Sequence, residues 1–161
     1  MNLLFICTHN RCRSILSEAI FNHVAGDYLT AFSAGSQPSG QVHPLSLKYL
    51  SDSDISIDGL HSKSWDEFDN KNIDISITVC DSAAKEACPV WFGDTIKVHW
   101  GLEDPSKIIG DQQAQELAFE KTIDIITSRA KHFIELLKDA PSKQTLAARI
   151  EQLTNQKMQS H

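Results

Sequence analysis

Short apolar runs alternate with amphipathic stretches along this chain. Residues 2–7 end in Leu-Leu-Phe-Ile-Cys, and a run so uniformly apolar predicts a strand buried on both faces, as in a parallel sheet. Residues 15–24 carry helical periodicity, with Ser14 a candidate N-cap and Gly26 a candidate stop. Residues 29–33 read as a second strand, closed by Ala34-Gly35 and a Ser/Gly/Pro loop reaching Gly40. Residues 43–50 suit a short helix, 54–60 are ambiguous, and 65–68 suit one or two helical turns. Residues 73–79 alternate with β-branched side chains and predict a third strand that runs into Cys80. Residues 95–100 make the fourth.

From residue 111 to 138 the pattern is that of a long amphipathic helix. Phe119, Ile123, Ile126, Ala130, Phe133 and Leu137 recur at spacings of three and four, and Asp139-Ala140-Pro141 stops the run. Leu146, Ile150 and Leu153 repeat helical spacing in a short tail, which is expected to dock back on its own sheet rather than bind a partner helix. Strands alternating with helices predict an α/β fold: a four-stranded parallel sheet flanked by helices in three layers. Residues 1–138 are expected to form one domain and 139–161 a C-terminal helical tail.

Composition narrows the function. Fifteen Lys and Arg against 21 Asp and Glu, with no basic run, argue against nucleic acid, whose phosphates need several cationic contacts. No apolar stretch approaches the ~18 residues of a membrane helix. The N-terminus lacks the basic leader of a signal peptide. The expectation is a cytoplasmic monomer without a membrane partner, its four cysteines (Cys7, Cys12, Cys80, Cys88) reduced at rest. Thiols in that setting are catalytic, redox-active or metal-binding. Zinc is disfavoured, because only Cys7 and Cys12 have suitable spacing and both lie in the loop that follows.

Cys7 stands at the carboxyl end of the first strand, where ligands bind in open parallel sheets. The loop Thr8-His9-Asn10-Arg11-Cys12-Arg13 then runs into a helix beginning near Ser14. A helix N-terminus offers unpaired N–H groups and positive potential, and successive loop amides form an anion nest. Arg13 adds a planar fork for two oxygens of a tetrahedral oxyanion. The same field favours the thiolate of Cys7, to which Ser14 can donate its hydroxyl hydrogen. Nucleophile, anion cradle and bidentate cation therefore converge within eight residues, with Thr8, His9, Asn10, Arg11, Cys12, Arg13 and Ser14 as the oxyanion-binding set. Cys12 lacks an Arg at the required offset and is read as a packing thiol.

This Cys-x5-Arg-Ser loop resembles the signature of the low-molecular-weight tyrosine phosphatase superfamily, and more narrowly the arsenate reductases built on that fold. The likeness extends over about residues 3 to 137 and draws also on Ser33-Ala34-Gly35, Cys80, Cys88-Pro89, His99-Trp100-Gly101 and Asp104-Pro105. Asp-Pro by itself reads as a turn; the resemblance makes Asp104 the general acid. It further implies that Cys7 attacks arsenate held by the loop and Arg13. Cys80 would then attack Cys7 and release arsenite, and Cys88 would take over the disulfide and present it to thioredoxin, or to glutathione with glutaredoxin. The alternative is a phosphotyrosine phosphatase using Cys7, Arg13, Ser14 and Asp104 alone. A non-catalytic oxyanion or redox sensor is a third reading. Phosphate and sulfate should enter the same loop, and no cofactor is expected to be bound. Some relatives hold potassium beside the loop, and Asn10, Glu18 and Ser33 match that site. Ser64 stands where those relatives carry an acidic residue, and seven residues separate Cys80 from Cys88 where the thioredoxin-coupled relatives have six.

Overall fold

The first strand, β1 (Asn2–Ile6), is central because both of its faces are apolar: Leu3, Leu4, Phe5 and Ile6 are all buried. A computed structural model of the chain describes residues 1–68, 72–80, 96–139, 145, 146, 148–150 and 152. It adds β2 (Thr30–Ala34), β3 (Ile75–Thr78) and β4 (Ile96–His99) in the order β2-β1-β3-β4. Every pairing is parallel, with Ile6 beside both Ala34 and Thr78. All four strands therefore direct their carboxyl ends to one edge, and β1 and β3 are neighbours there.

Among the described residues, helices α1 (Arg13–Ala25), α2 (Pro44–Asp52) and α3 (Gln112–Asp139) accompany the sheet. Strand side chains alternate between faces. On one face Phe5 meets Phe21 of α1 at 4.7 Å between ring centroids. Phe21 in turn packs near Trp100 and near Phe133 of α3. On the other face Phe32 meets Phe68, which ends a 3-10 turn over Trp65–Phe68. The alternating face of α3 behaves as its spacing predicts, with Phe119, Ile123, Ile126, Ala130 and Phe133 buried. In the tail, Leu146 and Ile150 belong to the same core.

One sequence expectation shifts. Helix α1 begins at Arg13 and its N-cap position is Cys12, without a side-chain cap; Ser14 does not cap because its hydroxyl is engaged elsewhere. Gly26 closes α1 as the sequence suggested, in a right-handed conformation (φ −59°). Helix α2 is set by His43, whose Nδ1 accepts from Leu45 N at 3.1 Å, with Pro44 in the first turn. Burial and the Arg11 cation both lower the pKa of His43, which suits an imidazole that must accept that bond. Residues 54–60 form turns rather than a strand. Cys88, Pro89, the small residues Ser82, Ala83, Ala84 and Ala87, Trp91, Phe92 and Leu153 lie outside the described residues.

Candidate active site

The loop from Cys7 to Arg13 is shaped by what holds its carbonyls. Gln37 N donates to Thr8 O (2.9 Å), Ser39 N to His9 O (3.0 Å), His43 N to Arg11 O (2.9 Å) and Leu16 N to Cys12 O (2.8 Å). Among the described residues no peptide bond is cis. In a planar trans peptide the N–H points opposite to the C=O. Drawing these four carbonyls outward therefore turns the amides of His9, Asn10, Cys12 and Arg13 to the inner side. The expected anion nest thus depends on a segment, residues 37–43, that side-chain chemistry did not single out.

Two residues make the tight path feasible. Asn10 takes a left-handed conformation (φ 47°), which asparagine tolerates better than most residues. Gly35 lets the loop pass: a Cβ there would stand 2.5 Å from Thr8 O and 2.8 Å from Cys7 O.

Inside the loop lies a cavity of about 50 Å³, lined by Cys7, Thr8, His9, Arg11, Cys12 and Arg13, and by Asp104 and Lys107 from the loop after β4. A water-sized probe needs about 10–15 Å³, so the space suits the four oxygens of a tetraoxo anion. Its charged walls are three cations, Arg11, Arg13 and Lys107, against the carboxylate of Asp104. Arg13 Nη1 donates to Leu102 O (3.1 Å) and Nη2 lies 3.7 Å from Asp104 Oδ2. Asp104 Oδ1 accepts from Ser106 N (2.9 Å) and Ser106 Oγ (2.6 Å), capping a 3-10 turn over Pro105–Lys107. The turn reading of Asp-Pro and the site reading are thus served by different oxygens of one carboxylate. His9 is exposed at the rim, its Nδ1 3.1 Å from Gln37 O.

The side chains of Asn10 and Ser14 do not line the cavity. They stand behind it in a directed chain. Lys63 N donates to Asn10 Oδ1 (2.9 Å), and Asn10 Nδ2 donates to Ser14 Oγ (2.7 Å). Ser14 Oγ lies 2.9 Å from Cys7 Sγ. Because its oxygen is already accepting from Asn10, Ser14 has its hydrogen to give to sulfur. Every hydrogen in the chain points towards Cys7.

Cys12 is different. Burial pushes its thiol up to about 12, against an opposing pull from the Ser46 hydroxyl, and the charges of Asp104 and Cys7 add to the rise. It is a protonated packing thiol, as its lack of a spaced Arg suggested. Cys80 stands just past β3, with Sγ 3.8 Å from Thr8 Oγ1. The neighbouring positions of β1 and β3 thus bring it to the Cys7 loop, and no disulfide involves Cys7 or Cys12. Arg129 of α3, buried, donates to Trp100 O (3.2 Å) and Gly101 O (3.1 Å), and so holds the root of the Asp104 loop. Burial lowers its pKa to about 10. An isolated Arg in an amphipathic helix gave no sequence signal for that task.

Of the residues matching a potassium site, Glu18 and Ser33 come together, but their arrangement does not fit a metal ion. Ser33 Oγ donates to Glu18 Oε1 (2.5 Å), and the ammonium of Lys63 lies 3.4 Å from that same oxygen and 3.3 Å from Ser33 Oγ. Ser64, at the position expected to be acidic, spends its hydroxyl on Asp66 N (3.1 Å). A resident positive charge repels a second cation at that distance.

A parallel four-stranded sheet with a Cys-x5-Arg-Ser loop at its carboxyl edge defines the class. The chain belongs to the low molecular weight phosphotyrosine protein phosphatase family, which it matches over residues 2–144. It is 32% identical to the arsenate reductase of Halalkalibacterium halodurans over 133 residues, covering 83% of this chain and 94% of that protein. It is 31% identical to the arsenate reductase of Bacillus subtilis over the same shares. Among solved structures it is similar to the thioredoxin-dependent arsenate reductase of Corynebacterium glutamicum, with a TM-score of 0.64 and 27% identity. That likeness covers 85% of this chain and spans 61% of the Corynebacterium protein's length. No helix among the described residues is long and apolar enough to cross a membrane.

Proposed function

We propose that the protein reduces arsenate to arsenite through a cysteine nucleophile and a disulfide relay. The observation that carries the reading is a second thiol at the anion loop: Cys80 Sγ lies 3.8 Å from Thr8 Oγ1, the residue next to Cys7. Hydrolysis of a phosphate ester has no use for that thiol, whereas reduction of arsenic needs two electrons.

Arsenate enters the loop, its oxygens on the inward amides and the Arg13 fork. Cys7 Sγ bonds to arsenic while Asp104 protonates the departing oxygen, which leaves as water. Cys80 then attacks Cys7 Sγ. The S–S bond forms, the S–As bond breaks, and its electron pair stays with arsenic, which leaves as arsenite. Cys88 exchanges into the disulfide, and the dithiol of thioredoxin returns the two electrons. The reading carries with it a cytoplasmic monomer in which residues 1–138 are the catalytic unit and 139–161 a docked helical tail.

The test uses the reduced full chain with arsenate, supplied in one arm with thioredoxin, thioredoxin reductase and NADPH. The other arm contains glutathione, glutaredoxin, glutathione reductase and NADPH. Arsenate-dependent NADPH consumption in the thioredoxin arm is expected. Consumption in neither arm, beside brisk cleavage of an aryl phosphate, would assign the protein to phosphatase chemistry instead.

A further inference from the structure

We propose that Lys63 is the built-in cation of the anion loop, standing where a monovalent metal ion would otherwise neutralise Glu18, and that it positions Cys7 from behind. The inference rests on reading residues 7–14 as an anion loop, whichever reaction follows there. Lys63 is only 7% exposed, unusual for a lysine. Its ammonium is held by three oxygens from three parts of the chain: Glu18 Oε1 of α1 (3.4 Å), Ser33 Oγ of β2 (3.3 Å) and its near neighbour His61 O (2.9 Å). That oxygen set, carboxylate, hydroxyl and carbonyl, is the kind that hard cations take. Here the side chain supplies the charge itself.

The ammonium fixes the residue, and the backbone of the same residue does the positioning. Lys63 N starts the chain through Asn10 and Ser14 to Cys7 Sγ. Lys63 O accepts from Gly35 N at 3.0 Å, which sets the glycine the loop passes over. One residue thus holds both the inner support of Asn10 and the outer wall at Gly35. Removing its charge leaves Glu18 half-buried without this counter-ion and lets residues 61–64 relax away from Asn10.

The experiment measures binding of inorganic phosphate to the reduced full chain by calorimetry, in potassium chloride or in choline chloride of equal ionic strength. Melting temperatures are recorded in each salt. The wild type is expected to bind phosphate equally in both. Lys63→Ala opens the oxygen set, so in choline its binding should weaken about tenfold, the scale of losing a support behind a ligand shell, and potassium should restore part of it. Lys63→Met fills the space without charge and should stay weak in both salts. Stronger wild-type binding in potassium than in choline would overturn the proposal. So would a Lys63→Ala protein that melts earlier yet binds phosphate as tightly as wild type in choline. A wild type that binds no phosphate in either salt would instead remove the anion-loop reading beneath it.

Discussion

Gly35→Ala isolates the geometry of the loop from its chemistry, because it touches no reacting group. The added Cβ would stand 2.5 Å from Thr8 O and 2.8 Å from Cys7 O. Carbon–oxygen contacts settle at about 3.3–3.6 Å, so the loop must retreat by about 0.8 Å. Both obstacles are backbone atoms, which cannot swing aside as a side chain would. Overpacking of this kind destabilises by about 1–3 kcal/mol. For a chain of this length each kcal/mol lowers the melting temperature by about 2–4 °C. Activity should fall further than stability, since a misplacement near 1 Å can slow a positioned reaction by about 100-fold. Gly59→Ala is the contrasting control: its backbone is left-handed (φ 78°), which that of Gly35 is not, but nothing lies within 4 Å of its Cβ. It should lose about 1–2 kcal/mol of stability with arsenate turnover intact. Circular dichroism melts and the coupled NADPH assay read the two effects. A Gly35→Ala protein with wild-type turnover and phosphate binding would refute the idea that Gly35 sets the loop.

Two further outcomes follow from buried groups. The Cys12 thiol is pushed up to about 12 in the fold from an ordinary 9.0. Below pH 9 its contribution is fully present. Above that the unfolded chain sheds the proton first, so stability is lost as pH rises towards 12, by about 1.4 kcal/mol per unit. Urea unfolding at pH 8.5 and 10 should therefore show a steeper loss in wild type than in Cys12→Ala; parallel losses would contradict the assignment. Arg129→Met removes the donors that hold Trp100 O and Gly101 O. With charged hydrogen bonds contributing about 1.5–3 kcal/mol each, the variant should melt at least several degrees lower. It should also bind phosphate more weakly than wild type, as the Asp104 loop loosens. An unchanged melt would show that the root of that loop is held by something else.

Much of this site was legible in the sequence because its chemistry is contiguous. Cys7 to Ser14 are eight consecutive residues at a strand-to-helix junction, and the apolar run of β1 and the periodicity of α1 locate them without any tertiary information. The adjacency of Cys80 followed from a weaker argument, that parallel strands end on one edge, and the order β2-β1-β3-β4 supplied the rest. What sequence could not supply was the support behind the loop. The bonds from residues 37–43 to the loop carbonyls are backbone to backbone, so no residue type marks them. Lys63 and Arg129 look like solvated surface cations until the fold buries them. Ser14 carried two readings, helix cap and donor to the Cys7 sulfur, because the same hydroxyl can serve an amide or a sulfur, and the position of Asn10 decides for the second.

The central claim is that Cys7 attacks the bound oxyanion and Cys80 then takes the sulfur from arsenic. It is tested most directly by counting arsenite released per chain while mapping disulfides by mass spectrometry. The wild type and Cys80→Ser would be compared, each reduced, mixed with arsenate and then supplied with thioredoxin. Wild type should turn over repeatedly and, before reductant is added, should carry a disulfide that includes Cys80. Cys80→Ser should release no more than a single arsenite per chain and then stop. Undiminished repeated turnover in that variant, or a wild-type product with Cys80 still a thiol, would contradict the relay.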